Sequence, residues 1–356
     1  MVPPAYLIWT HDGLPPGLQP RLAALPGVER AVTVGDDTTW MTRSVDAEGT
    51  VVDAPPSPFA IPLETQDVDP RALAPFLPAG LRDDVVTSLS KGQGVLGETS
   101  ARLRHIGVGG KLIFGNRTVR VGTIVPDTVA NWSELLVSRE VGWRLGIAHD
   151  RFALMRFSSS PTEASVSRSV FPLLPAGSAL QVRAPGKAEF RKNGDSVYPY
   201  VLMKVGFGEF AARPDPANPG YLQMDPAFVH SHLRTQIVPL LGAVTCNKVV
   251  FSPLEAAMQE LQRRGLSSLV HSFAGCYAAR MVNRVPTMLL SHHSWGAAVD
   301  INAPENPFGA RPTQDRRLVA VMHANGFAWG GLWVTPDGMH FEFRPAHVAA
   351  PWPGMP

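Results

Sequence analysis

The chain is poor in charge: only 17% of its 356 residues are Asp, Glu, Lys or Arg, against roughly 25% in ordinary soluble domains. The formal net charge is +2, so no strong field draws it to nucleic acid or an anionic membrane, and neither is expected as a partner. It has no uninterrupted apolar run of about 18 residues, which excludes a helix across a bilayer. The start, Met1-Val2-Pro3-Pro4-Ala5-Tyr6, lacks the basic segment and apolar stretch of an export signal. Cysteine is scarce. Cys246 and Cys276 have no Cys-x-x-Cys spacing, which argues against a zinc knuckle. They read either as two separate buried thiols or as one disulfide of an oxidising compartment. Closing that loop would stabilise by about 3–4 kcal/mol in the chain-entropy view.

Glycine and proline are abundant, 32 and 34 residues. That favours turns and short strands and excludes an all-helical bundle. No internal repeat is evident. Residues 1–212 read as an α+β module. Strands are expected over Ala5–Thr10, Arg30–Val34, Thr118–Val125 and Ala179–Arg183. Helices are expected over Asp69–Phe76, Asp83–Leu89 and Glu134–Leu145, with Asp69 as N-cap and Pro70 at the first helical position. Ala101–Leu112 also reads as a helical stretch. The proline-rich segment Ala211–Gly220 marks a boundary, with a linker at 213–234. A second domain is expected over 235–356. In it, Ser252-Pro253 opens a helix with Leu254, Ala257, Met258 and Leu261 at helical spacing, closed by Gly265. A second helix is expected over Thr313–Ala324. Apolar runs at Leu269–Phe273, Ala297–Ile301, Gly326–Trp329 and His340–Phe343 suggest a small antiparallel sheet with helices on one side.

Histidine traces the chemistry. Six of the 11 histidines lie between His271 and His347, and four of the eight tryptophans between Trp295 and Trp352. In Ser291-His-His293-Ser-Trp-Gly296-Ala-Ala298-Val-Asp300, His293 and Asp300 are seven apart. A strand alone would set them on opposite faces, so a bend at Gly296 is required. Imidazole nitrogen and carboxylate oxygen are both ordinary zinc ligands at about 2.0–2.2 Å. The second constellation is Trp329-Gly330-Gly331-Leu-Trp333-Val-Thr-Pro-Asp337-Gly-Met-His340-Phe-Glu342. His340 would complete a His-Asp-His set with a fourth vertex left for water, the mark of a catalytic zinc. Asp337 is spaced to take a proton from that water and return it to a leaving amine.

These two elements resemble the zinc D-Ala-D-Ala carboxypeptidases and L-alanyl-D-glutamate endopeptidases of peptidoglycan (VanY-like). The family pattern is Ser-x-His-x-x-Gly-x-Ala-x-Asp followed by Asp/Glu-x-x-His. The resemblance spans residues 235–345. It implies a small antiparallel sheet flanked by helices, shared with Hedgehog-type domains. It also implies one zinc ion held by His293, Asp300 and His340, with Asp337 as base. Gly275-Cys276-Tyr277-Ala-Ala-Arg280 resembles the family's arginine segment, making Arg280 the partner of the oxyanion, with Arg284 as competitor. Ser291, Tyr277 and Trp329 are substrate-contact candidates. Ser291 can equally shape a turn, and Trp295, Trp329 and Trp333 can equally wall the core. Glu342 is expected to support a ligand rather than bind metal, and His292 to point away from the metal.

The implied activity is hydrolysis of an amide in the peptidoglycan stem, D-alanyl-D-alanine carboxypeptidase first. The alternatives are L-alanyl-D-glutamate endopeptidase and a non-catalytic wall-binding or signalling protein that keeps its zinc. Such a protein would be extracytoplasmic. Residues 1–212 are faintly similar to the extracytoplasmic core domains of ABC exporter permeases, which implies a partner-binding or positioning module; the alternative is a scaffold packed against the second domain. Ser88-Leu-Ser-Lys91 fits a penicillin-binding pattern but lacks its Lys-Thr-Gly partner. Gly107-Val-Gly109-Gly110-Lys111 has the wrong spacing for a phosphate loop. Asn116-Arg-Thr118 and Asn131-Trp-Ser133 have the form of glycosylation sequons.

Overall fold

The computed structural model describes residues 1–345; His347, Trp352 and the end of the domain expected over 235–356 lie outside them. The chain divides into two compact units, Met1–Val201 and Leu202–Pro356.

The first unit is built on a ten-stranded sheet. Its order is Leu180–Arg183, Tyr6–Leu14, Asp150–Phe157, Val28–Met41, Ile61–Val68, Leu135–Ser138, Gly94–Gly97, Arg117–Val125, Lys111–Phe114 and Arg43–Val45. Neighbours run antiparallel except Ile61–Val68 with Leu135–Ser138 and Gly94–Gly97 with Arg117–Val125. Helices Leu18–Ala23 and Glu163–Val170 close one end, packing Leu18, Leu22, Val166 and Val170 with Tyr6, Ile8 and Met155. The Asp69 cap forms as expected: its Oδ1 accepts from Ala72 N at 2.7 Å. Two helical expectations need correction. Over 134–145, Leu135–Ser138 is a strand, and only Arg139–Leu145 is helical. Leu135, Leu136 and Val137 are buried, and a short run buried on both faces has no alternation to betray it. Over 101–112, the helix is Glu98–Leu103 and Lys111–Phe114 is a strand.

A chain of buried charge crosses this sheet. Arg104, fully buried, faces Glu134 at 3.3 Å and Asp53 at 3.5 Å. Glu134 Oε2 accepts from Glu64 N at 3.1 Å. Glu64 pairs with Lys192, which lies 3.8 Å from Asp36. Asp36 accepts from Gln66 Nε2 at 3.1 Å. Removing one partner from such a set leaves an uncompensated buried charge, typically at a cost of about 3–5 kcal/mol.

In the second unit, residues 213–234 are not a linker. Ala212–Pro214 pairs with Leu222–Met224, and helix Pro226–His232 follows, capped by Asp225. The prolines sit in a turn held by Asp215, whose Oδ1 accepts from Ala217 N at 3.1 Å. Leu233–Val238 and Gly242–Asn247 form a second hairpin. A four-stranded antiparallel sheet then runs Phe273–Gly275, Ala298–Ile301, His340–Phe343, Phe327–Trp329. Helices Phe251–Arg263 and Arg316–Ala324 bury Leu254, Ala257, Met258, Leu261, Leu318 and Met322. Ser252 does not cap the first helix: a 3-10 turn over Lys248–Val250 precedes it, capped by Asn247. The second helix starts later than Thr313 because Asp315 caps it, accepting from Arg317 N at 2.8 Å. Of the run Leu269–Phe273 only Phe273 belongs to a strand; Ser267–Leu269 is a 3-10 turn.

Burial pushes the Asp36 carboxyl up to about 8, against the pull of Lys192. In the unfolded chain an aspartate titrates near ~3.9. Between those values the folded state holds a proton that the unfolded state has lost. This contribution is therefore full below pH ~4 and fades as pH rises towards 8. Asp36→Asn is expected to lose less stability than the wild type as pH rises from 5 to 8, its curve flatter by up to on the order of 1 kcal/mol per pH unit. Urea denaturation across that range checks it; parallel stability curves would contradict it.

Candidate metal centre

The site is assembled by one turn and two paired strands. Ser291 caps a 3-10 turn, His292–Trp295, its Oγ accepting from His293 N at 3.4 Å. The turn ends at Gly296 with φ 64° and ψ 34°. A Cβ there would lie 2.6 Å from Asn247 N and 3.1 Å from the Cys246 carbonyl carbon. Both the left-handed backbone and the close approach demand glycine. The chain then enters the strand Ala298–Ile301, where Asp300 lies directly opposite His340. Alternation gives Ala298, Asp300, His340 and Glu342 one face, while Val299, Ile301 and Phe341 are buried on the other.

His293 Nδ1 donates to the Cys276 carbonyl at 2.6 Å. A carbonyl only accepts, so Nδ1 carries a proton; Nε2 is buried without a hydrogen-bond partner and lies 3.2 Å from Asp300 Oδ2. His340 Nδ1 is 3.2 Å from Asp300 Oδ1, and its Nε2 is 3.1 Å from Glu342 Oε1. Ligand atoms of His293, Asp300 and His340 all lie within 4.8 Å of one another. Tetrahedral bonds of ~2.0 Å space ligand atoms by about 3.3 Å; the two imidazoles each approach a different oxygen of Asp300 at 3.2 Å. The orphaned Nε2 and the two-nitrogen, one-oxygen donor set fit zinc.

Burial pushes the Asp300 carboxyl up, but His293 and His340 outweigh it and hold it well below the usual range. Burial pushes His340 down, but Asp300 and Glu342 outweigh it and raise it to about 10. Glu342 is fully enclosed and also faces His292 Nδ1 at 2.8 Å. His292 is not one of the three clustered residues but shares the Glu342 oxygen with His340, reaching it from a 3-10 turn rather than an extended segment.

Asp337 lies at the edge of the cluster, its carboxyl raised chiefly by burial. Its Oδ1 is buried and unpartnered. Gly330 makes this approach possible: a Cβ there would sit 2.9 Å from the Asp337 carbonyl oxygen and 3.3 Å from His340 Cβ. Asp337 N donates to Gly330 O at 2.9 Å. Arg280 is half-buried within the influence of Asp300 and Asp337, and burial lowers its pKa. Ser294, which the sequence reading missed, pins it. The Arg280 N–H donates to Ser294 Oγ, and that hydroxyl donates to the Arg280 carbonyl, both at 3.0 Å. Arg284 lies over the Tyr221 ring at 5.8 Å.

Tyr277 is half-buried, and burial pushes its hydroxyl up to about 12. Trp329 stacks on Phe341 and donates from Nε1 to Gly338 O at 2.9 Å. Trp295 is fully buried, and Trp333 leans on His340 with ring centres 5.2 Å apart. Cys246 and Cys276 are joined as a disulfide. Asn247, also missed, donates from Nδ2 to Phe207 O at 2.8 Å and Trp295 O at 3.2 Å, bracing the turn that carries His293.

Residues 284–343 match the family model described as D-alanyl-D-alanine carboxypeptidase. That match supports a peptidase, and the His-Asp-His cluster falls inside it. No curated protein matches the chain. Among solved structures, the periplasmic region of MacB from Actinobacillus actinomycetemcomitans is similar at 11% identity. It covers 51% of this chain and 88% of that one, with a TM-score of 0.36. The extracellular domain of the noncanonic ABC-type transporter YknZ from Gram-positive bacteria is similar at 11% identity, covering 48% and 92%, with a TM-score of 0.32.

Gly296→Ala is expected to destabilise the protein by at least ~2 kcal/mol, from the left-handed backbone and the clash with Asn247. By shifting His293 it should also weaken zinc uptake about tenfold or more. Thermal unfolding and a zinc titration against a chromogenic chelator check both; wild-type affinity in this variant would remove Gly296 from the account.

Proposed function

We propose that the second unit is a zinc peptidase that hydrolyses an amide of the peptidoglycan stem, a D-alanyl-D-alanine carboxypeptidase first. The observation that carries the reading is the convergence of His293, Asp300 and His340 on one point beside the unpartnered oxygen of Asp337. The family match over 284–343 supports the substrate class.

In this reading His293 Nε2, Asp300 and His340 Nδ1 hold the zinc, with Cys276 O and Glu342 fixing the two imidazoles. A zinc ion bound there supplies Lewis acidity for the scissile carbonyl and acidifies water near neutral pH. Asp337 Oδ1 accepts a proton from the attacking water as its oxygen bonds to the carbonyl carbon. The C–N bond then breaks, and Asp337 returns the proton to the leaving amine. Arg280 donates to the oxygen on which negative charge develops. Ser291, already bonded to His293 N, acts as a cap rather than as a nucleophile. Tyr277 and Trp329 are the proposed walls of the substrate cleft.

The Cys246–Cys276 bond supports an extracytoplasmic site of action, because disulfides persist in oxidising compartments. Among the described residues no helix is long and apolar enough to cross a membrane. For residues 1–212 we propose a protein-binding role, which a pull-down with the full chain would test.

Digestion of purified muropeptides, read by mass spectrometry, tests the substrate. Loss of a terminal alanine is expected. Release of the stem at L-Ala-D-Glu would select the endopeptidase, and cleavage of neither bond would reject both. Asp337→Ala should keep its zinc and lose about 10²–10⁴-fold in kcat. His293→Ala should lose zinc and activity together. Unchanged turnover in Asp337→Ala would take that residue out of the mechanism and favour a different base.

A further inference from the structure

A second concave site lies in the first unit, away from any residue used above. An open surface depression of about 670 Å³ is lined by Arg30, Arg82 and Arg156, mostly polar, with the smaller apolar surface of Val28, Ala74 and Pro75 and the exposed Glu29 beside them. Arg30 and Arg156 are direct cross-strand partners in the antiparallel pairing of Val28–Met41 with Asp150–Phe157. Opposed residues project from the same face, and like charges there repel. No carboxylate of the described residues lies within ion-pair distance of any of the three guanidiniums, Glu29 included.

Two of the arginines are also held in place. Arg82 donates from Nε to Ala74 O at 2.8 Å and from Nη2 to Leu77 O at 3.4 Å. Arg156 donates from Nη1 to Pro75 O at 3.1 Å. Both are anchored to one short segment, 74–77, and each keeps N–H groups to offer. Arg30 uses only Nη1, towards its neighbour's carbonyl, Glu29 O, at 2.7 Å. A set of fixed, unneutralised guanidinium forks is the arrangement that accepts phosphate bidentately. Fixing the donors beforehand lowers the entropic cost of binding.

We propose that this cleft binds a small organic phosphate monoester. Its phosphate is clamped by Arg30, Arg82 and Arg156, and its organic part lies on Val28, Ala74 and Pro75. The bound dianion supplies the counter-charge that the Arg30–Arg156 pair lacks.

Isothermal titration calorimetry of the full chain with inorganic phosphate and with glucose 1-phosphate, at constant ionic strength in chloride, tests this. Saturable binding is expected for both, several-fold tighter for glucose 1-phosphate. Arg30→Gln should weaken both about tenfold. Arg117→Gln, which removes the same charge four strands along the sheet, should leave them unchanged. In chloride alone Arg30→Gln should melt no lower than the wild type, since it relieves a repulsion. Absence of saturable binding, equal weakening by both variants, or a markedly lower melting temperature of Arg30→Gln in chloride would overturn the site. Glucose 1-phosphate binding no tighter than inorganic phosphate would overturn the assignment to an organic ester.

Discussion

The second unit depends on one cross-strand pair. Asp300 and His340 are opposite one another in adjacent antiparallel strands, so their side chains leave the sheet on the same face, 3.2 Å apart. Backbone pairing, the most rigid element available, thus sets the spacing of two candidate ligands. His293 comes from the turn that feeds the Asp300 strand, and Asp337 from the loop that feeds the His340 strand. The four side chains of the proposed site are carried by two strands and their entries.

The support for these groups is mostly backbone. The Cys276 carbonyl sets the tautomer of His293 while its side chain is bonded to Cys246. Gly296 and Gly330 contribute by what they omit: a methyl group at either would meet the neighbouring chain under 3.0 Å away. Glu342, buried between two imidazoles, adds a side-chain support, as do Asn247, Ser294 and Ser291. The centre therefore tolerates little change in residues that carry no chemistry themselves.

Legibility followed chemistry more than shape. His293, Asp300, His340 and Asp337 were legible because their residue types and spacings together match a two-part pattern that either half alone would not single out. The amphipathic helix with Leu254, Ala257, Met258 and Leu261 was readable because periodicity is a local property. Leu135–Ser138 was not, since its strand character comes from partners distant in sequence. The prolines of 211–220 suggested a break because they block regular structure. Here they occupy a hairpin turn that Asp215 organises through its own side chain, a local device invisible in composition. Ser294 and Asn247 escaped notice because they bond to main-chain atoms, and such partners leave no pattern in a sequence.

The strand pairing also acts as a ruler for length variation. Adding or deleting one residue between Gly296 and Asp300 would turn the carboxylate to the opposite face of the sheet, into the core beside Val299 and Phe341. Length added in the connection between Ile301 and the loop that presents Asp337 would, by contrast, leave the facing of Asp300 and His340 unchanged.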